Sequence, residues 1–166
     1  MCSSDLSRRA RHPSTLPKKP EITLRARAMR FLARREYSRV ELHAKLSSYA
    51  TPEDNTDAVL DELVKRGWLS DARAAEQIVN ARRARFGTQR IAHELKQKGI
   101  SDDLINAALP QLKQGELEAA REVWQKKFGA VAQDAKEKAK QMRFLQSRGF
   151  SMEVIFRVLR LEEAQE

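Results

Sequence analysis

Two stretches, LKQKGISDDLI at residues 95–105 and LQSRGFSMEVI at residues 145–155, share one pattern at a spacing of 50 residues. In each, a leucine is followed four residues later by a glycine, then by an apolar residue, a serine and, four residues on, an isoleucine. Glycine commonly ends a helix, and serine commonly caps the start of the next one. The recurrence therefore predicts an internal repeat whose unit contains a helix, a tight turn and another helix.

The first part of the chain also fits this repeat pattern. Leu42 and Leu46 lie 49 residues before Ile91 and Leu95, and the spacing implies a longer loop before the third helix of this unit. The predicted organisation is a basic flexible tail over residues 1–23, followed by three-helix repeats over residues 24–71, 72–113 and 114–166.

Composition and capping signals favour helices throughout. Only six glycines and five prolines are present and aromatics make up 6% of residues, too few for the turns of an all-β fold. Ser38 and Glu41 form a capping-box pattern, Thr51 is predicted to cap the next helix, and Thr88 another. We expect nine helices in an all-α fold, with three tandem three-helix repeats stacked into an elongated, curved, solenoid-like body.

The chain is strongly basic. It carries 32 Lys and Arg against 23 Asp and Glu, a net charge of +9, and such a balance attracts polyanions such as nucleic acid. A merely well-solvated surface is the alternative interpretation. The charge is uneven: +4 over residues 1–25 (6 minus 2), 0 over 26–71 (8 minus 8), +4 over 72–113 (8 minus 4) and +1 over 114–166 (10 minus 9).

Basic residues cluster in each repeat near the junction of its first and second helices. If the repeats stack, these clusters could align into a stripe that binds phosphates. Alternatively, each cluster only solvates a helix end and its carbonyls. The candidate residues for binding nucleic acid are Arg27, Arg30, Arg34, Arg35, Arg82, Arg83, Arg85, Arg90, Lys126, Lys127, Lys138, Lys140, Arg143 and Arg148.

Nothing in the sequence predicts catalysis. No phosphate-binding loop, dinucleotide fingerprint or nucleophile elbow occurs, so we expect no catalytic residues and no cofactor. The three histidines lack partners at metal-ligand spacing, and Cys2 is the only cysteine, so no metal site is expected. No apolar run is long enough to span a membrane, which favours a cytoplasmic protein.

Two alternatives concern how DNA would be recognised. A helix-turn-helix regulator is disfavoured because the predicted third helices open with acids, at Glu53 and Asp54, Asp102 and Asp103, and Glu153, which phosphates would repel. The aromatic residues could stack on single-stranded bases, but core positions are favoured for them. They are Trp68, Trp124, Phe128, Phe144 and Phe150, of which Trp68 and Phe150 are expected to pack back on the preceding helix.

Four segments together resemble one known family. They are FLARREYSRVELHAKL at residues 31–46, LVKRGWLSDAR at 63–73, GTQRIAHELKQKGI at 87–100 and RFLQSRGF at 143–150. In combination these resemble RecX, the bacterial regulator of the RecA recombinase, over roughly residues 24 to 160. One departure is Ala74, where the family usually has an aromatic residue, so looser local packing is expected there.

The resemblance implies three three-helix repeats, a cytoplasmic location and no enzymatic activity. It further implies a protein, expected to be monomeric, that binds RecA and its filament on single-stranded DNA and limits ATP hydrolysis, strand exchange and co-protease activity. The family motifs are mostly caps, stops and core positions, so they do not identify the contact with RecA. A helical DNA-binding protein or transcription regulator that acts without RecA remains the alternative.

Overall fold

A computed structural model describes residues 21–165, and the predicted tail therefore lies largely outside the described residues. The described part is all-α and contains no strand. Its eight helices are α1 (Leu24–Leu32), α2 (Arg39–Ser47), α3 (Thr56–Lys65), α4 (Asp71–Arg82), α5 (Thr88–Gln97), α6 (Asp102–Lys127), α7 (Ala135–Ser147) and α8 (Met152–Glu163).

The prediction of nine helices is wrong for residues 21–165, because two predicted helices are one. Helix α6 has 26 residues and runs through Pro110 and Gly115 without a break. Its buried residues continue from Ile105 to Trp124, so one helix contributes to two hydrophobic cores. That shared burial offsets the hydrogen bond that Pro110 removes from the helix. The predicted boundary between residues 113 and 114 falls inside α6.

Three clusters of buried apolar residues define three repeats, as predicted. Repeat 1 contains α1–α3 with a core between Leu24 and Leu69. Repeat 2 contains α4, α5 and the first half of α6, and repeat 3 contains the second half of α6 with α7 and α8. Ala74 is 1% exposed, so the small side chain there is fully buried. None of helices α1–α8 is long and apolar enough to cross a membrane.

Most predicted caps are confirmed. The Ser38 hydroxyl accepts from the Glu41 backbone N–H at 3.1 Å, and the Glu41 carboxylate accepts from the Ser38 N–H at 3.0 Å. Ser101 and Ser151 cap α6 and α8 in the same way, each accepting from the backbone N–H three residues later. Each cap satisfies donors that the first helical turn leaves free.

Two predicted caps are wrong. Helix α3 begins at Thr56 with Asn55 as its cap, because the Asp54 carboxylate accepts from the N–H and hydroxyl of Thr51 and closes a separate turn. Glu53 and Asp54 therefore precede the third helix of repeat 1. At α5, the cap position belongs to Gly87, and Thr88 is the first helical residue.

The repeats are joined by one recurring contact. The cap residue of α2, Ser38, donates from its hydroxyl to the Lys98 carbonyl at 2.5 Å, in the turn that follows α5. The cap residue of α5, Gly87, donates from its N–H to the Arg148 carbonyl at 2.8 Å, in the turn that follows α7. We call these contacts junction 1–2 and junction 2–3. In both, the accepting carbonyl directly precedes a glycine with positive φ, at Gly99 or at its counterpart 50 residues later.

Gly149 is required at junction 2–3 for two reasons. Its φ is +86°, and a Cβ at this position would lie 2.6 Å from the Arg90 backbone nitrogen. Gly67 has a similar φ of +74° but has open space around the position of a Cβ. A comparison of substitutions at Gly67 and Gly149 therefore separates the free-energy cost of a left-handed backbone from the cost of a steric clash between repeats.

We predict that Gly149→Ala destabilises the protein by about 2–4 kcal/mol, because left-handed strain and a steric clash add together. Gly67→Ala should cost only about 1 kcal/mol, from strain alone. Urea denaturation followed by circular dichroism measures both values. Equal losses in the two variants would contradict the close packing at junction 2–3.

Candidate nucleic-acid interface

Junction 2–3 gathers basic side chains around one aromatic ring. Phe86 ends the segment between α4 and α5, and its ring is partly buried against the core of repeat 2. The guanidinium carbons of Arg90 and Arg148 lie 4.3 and 5.3 Å from the ring centroid, and those of Arg82 and Arg85 each lie 6.0 Å away. Cation–π attraction at these distances helps to hold like charges close together.

A second ring extends this arrangement. Arg148 also lies over Phe144, at 5.2 Å, and the Lys127 ammonium lies over the same ring at 5.6 Å. An open cavity of about 250 Å³ beside Phe144 is lined by these two cations together with Arg85 and Lys126. Residues from α6, from the end of α7 and from the α4–α5 connection thus meet on one surface.

We define the basic surface as Arg85, Arg90, Lys126, Lys127 and Arg148. None of these five side chains forms an ion pair with any carboxylate of residues 21–165. Unpaired cations brought together in this way raise the local positive potential and favour an anionic ligand. The surface therefore has the charge and the planar groups that bind nucleic acid.

A buried carboxylate orients the start of α5 beside this surface. Glu116 of α6 is 7% exposed and accepts from the Thr88 N–H at 3.3 Å and from the Thr88 hydroxyl at 3.1 Å. It also accepts from the Ser151 N–H at 3.4 Å, at the start of α8. Helix N-termini favour a negative charge, so this one side chain ties α5 and α8 to α6.

Junction 1–2 has the equivalent contact, made by the Ser38 hydroxyl instead of a backbone N–H, but opposite electrostatics. The Lys98 ammonium donates to the Glu41 carboxylate at 2.8 Å, and Arg35 donates to the same carboxylate at 3.2 Å. The Arg35 guanidinium also lies 3.6 Å from the centroid of the Tyr37 ring. Here the cations are neutralised within the protein, so this junction is a structural contact.

The electrostatic difference between the two junctions arises at one position, three residues after the cap. Glu41 lies three residues after the α2 cap Ser38, and Arg90 lies three residues after the α5 cap Gly87. At junction 1–2 the Lys98 ammonium contacts this position, and at junction 2–3 the Arg148 guanidinium lies over the same Phe86 ring as Arg90. At junction 1–2 the Glu41 carboxylate forms an ion pair with Lys98. At junction 2–3 the Arg90 guanidinium cannot pair with another cation, so Arg90 and Arg148 both remain available to an anionic ligand.

The surroundings of Glu41 shift its acidity. Burial raises the pKa of the Glu41 carboxyl, but hydrogen bonds from Lys98, Ser38 and Arg35 together outweigh it and lower the pKa below 4.5. The carboxylate is therefore more stable in the folded protein than in the unfolded chain. Junction 1–2 is consequently weakened when acid protonates this group.

The predicted site residues of repeat 1 lie on α1 and just beyond it. Arg27 lies 4.2 Å from the Tyr49 ring centroid, and Arg35 belongs to junction 1–2. Arg30 and Arg34 are exposed and make no ion pair with residues 21–165. The structure does not bring these four residues into contact with the basic surface.

The remaining predicted residues fall outside the basic surface. Arg82 pairs with Glu94 at 3.2 Å, and Lys138 pairs with Glu163 at 2.8 Å, so both are partly neutralised. The others, Arg83, Lys140 and Arg143, are exposed. The whole set of predicted residues therefore divides into one dense group at junction 2–3 and several separate cations.

Phe86 is the functional candidate that reasoning from the sequence missed. Its signal was the interleaving of one aromatic with arginines in ARRARFGTQR, residues 81–90. Among the aromatics considered, Trp124 and Phe150 are buried as expected, at 2% and 1% exposed. The expectation that Trp68 packs back is wrong: it is 39% exposed, and Leu69 fills the core instead.

The fold defines a class of small all-α proteins built from tandem three-helix repeats that share a long helix. Family models for RecX match all three units: the first three-helix domain at residues 25–63, the second at 70–109 and the third at 114–159. The chain belongs to the RecX family of regulatory proteins.

Curated relatives support this assignment along most of the chain. A regulatory protein RecX from Leptothrix cholodnii is 47% identical over 145 residues, which cover 87% of this chain and 92% of the relative. One from Herminiimonas arsenicoxydans is 47% identical over 148 residues, covering 89% and 98%. The prediction of a regulatory protein and not an enzyme is confirmed at the level of the family.

Solved structures share the fold. The crystal structure of RecX from Lactobacillus salivarius matches with a TM-score of 0.73 at 22% identity, covering 85% of this chain and 95% of that one. A second crystal structure, of a regulatory protein RecX, matches with a TM-score of 0.72 at 23% identity, covering 81% and 70%. The predicted fold class is confirmed.

We predict that Glu41→Gln lowers the free energy of unfolding at neutral pH by about 1–3 kcal/mol, because charge-assisted hydrogen bonds are lost. Since the folded-state pKa is lowered, this stability is present above pH 4.5 and is lost as the pH falls through the folded-state value. The measurement is urea denaturation of both proteins across this pH range.

The exposed pair of Lys138 and Glu163 supplies the control. Glu163→Gln should change stability by less than about 1 kcal/mol at any pH. A Glu41→Gln effect that persisted unchanged below the folded-state pKa would show that its cause is not the charge.

Proposed function

We propose that this protein regulates RecA, mainly as an inhibitor, by binding RecA nucleoprotein filaments and DNA. It limits ATP hydrolysis, strand exchange and co-protease activity, and so acts in homologous recombination, DNA repair and the SOS response. It works in the cytoplasm, as a monomer. Membership of the RecX family and the sequence motifs that resemble the RecA regulator support this proposal.

The basic surface supports the DNA-binding part of the proposal. Its five cations have no carboxylate partner within residues 21–165, so phosphates supply the missing negative charge. Each phosphate contact releases condensed counterions, and binding therefore weakens as salt increases. This concentration of unpaired charge at junction 2–3 is the observation that carries the proposal.

The serial arrangement of the repeats supports binding to a filament. Hydrogen bonds and ion pairs within residues 21–165 connect repeat 1 to repeat 2 and repeat 2 to repeat 3, and none joins repeat 1 to repeat 3. Such a protein can contact several points along a long ligand at once. Contacts of modest strength then add up to firm binding, and the exposed Arg30 and Arg34 supply separate positive charge in repeat 1.

The second candidate is a DNA-binding protein that acts without RecA. The same basic surface would serve it, and such a protein would bind naked DNA as tightly as the filament. A comparison of the two affinities distinguishes the candidates, since only a RecA regulator gains protein contacts on the filament.

The test is Arg90→Glu, which places at junction 2–3 the carboxylate that junction 1–2 has at Glu41. We expect it to leave the fold intact, because the new carboxylate can pair with Arg148. Binding to RecA filaments on single-stranded DNA should weaken, with the slope of log K against log salt reduced by about one to two. Inhibition of RecA ATP hydrolysis, measured below one molecule per RecA protomer, should weaken in parallel.

Arg157→Glu is the matched control, since Arg157 is exposed on α8 and the charge change is the same. It should inhibit RecA as the wild-type protein does. If Arg90→Glu inhibited equally well, the basic surface would not be the binding site. If wild-type protein bound naked DNA tightly but left RecA unaffected, the second candidate would replace the first.

A further inference from the structure

A cavity of about 490 Å³ lies between the end of α4 and the exposed face of α5, next to the basic surface. Its lining combines an aromatic ring, Phe86, with the guanidinium of Arg90 and the polar side chains of His93, Glu94 and Gln97. This combination differs from that of the cavity beside Phe144, which is lined by cations and apolar groups.

Arg90 presents a flat, fixed surface at this cavity. Its guanidinium carbon lies 4.3 Å from the Phe86 ring centroid, closer than that of any other cation around this ring. The same group donates to the Ser147 carbonyl at 3.2 Å, so contacts from both repeats restrain it. A guanidinium plane supported by an aromatic ring is a platform on which a nucleobase can stack.

The polar side chains of this cavity can form hydrogen bonds with the edge of a nucleobase. The Gln97 amide both donates and accepts hydrogen bonds, and His93 does the same through its two ring nitrogens. Glu94 accepts, and Arg82 holds its carboxylate at 3.2 Å. Bases within a duplex are already paired and stacked, so only an unpaired base can present both its face and its edge.

We infer that this cavity binds one unpaired base of single-stranded DNA while the basic surface binds the neighbouring phosphates. The inference rests on the proposed function, and it gives Arg90 two separable roles. Its charge attracts the DNA backbone, whereas its plane selects single strands over duplexes.

Arg90→Lys tests the second role, because lysine keeps the charge but has no plane. Three labelled probes are compared by fluorescence anisotropy: an oligothymidylate, a strand of equal length without bases, and a duplex. We expect the affinity for oligothymidylate to fall about five- to tenfold, the stacking contribution of one base. The affinities for the other two probes should change less than about twofold, since the charge is retained.

Arg157→Lys is the control, because Arg157 is exposed on α8, lies outside the basic surface and does not line this cavity. It should lower no affinity by more than about twofold. Gln97→Ala, at an exposed position, is a second variant that removes an edge contact and should weaken oligothymidylate binding alone.

Two results would overturn the inference. If wild-type protein bound the strand without bases as tightly as oligothymidylate, bases would contribute nothing, although the charge-based proposal would stand. Equal losses on all three probes in Arg90→Lys would show that the residue acts only through its hydrogen bond and position. Failure of wild-type protein to bind any probe would instead contradict the proposed function itself.

Discussion

The packing of each repeat against the next depends on one hydrogen bond, from the cap residue of a helix in one repeat to the carbonyl that precedes a left-handed glycine in the next. Ser38 makes it to Lys98, and Gly87 makes it to Arg148. Because the glycine has no Cβ, the neighbouring repeat packs directly against it, with Val40 at Gly99 and Arg90 at Gly149. The contact thereby brings the residue three positions after the cap close to the turn that contains the glycine.

The same scaffold thereby produces two junctions with different chemistry. Where that residue is Glu41, the charges cancel and the junction is a stable internal contact. Where it is Arg90, the charges accumulate on a surface supported by Phe86 and Phe144. The cap-to-carbonyl contact is thus repeated with one charge inverted. The ion-paired site and the proposed binding site occupy equivalent positions in neighbouring repeats.

The sequence predicted the helical class, the repeat and most caps, because glycine, serine and apolar spacing act locally. It did not predict that α6 is continuous, since Pro110 and Gly115 are ordinary stop signals, and only burial against two cores overrides them. Spacing also marked Arg82 as a site residue without showing its ion pair with Glu94. The arginines interleaved with Phe86 at residues 81–90 were a local signal, but they do not show that Arg148 of the next repeat lies over its ring.

Lysine footprinting with and without single-stranded DNA tests the central claim that junction 2–3 is the nucleic-acid surface. Acetylation of each lysine is followed by mass spectrometry. The account predicts protection of Lys126 and Lys127, on the basic surface, and unchanged reactivity of Lys45 and Lys65, which lie in repeat 1. Protection in repeat 1 with none at Lys126 and Lys127 would contradict it.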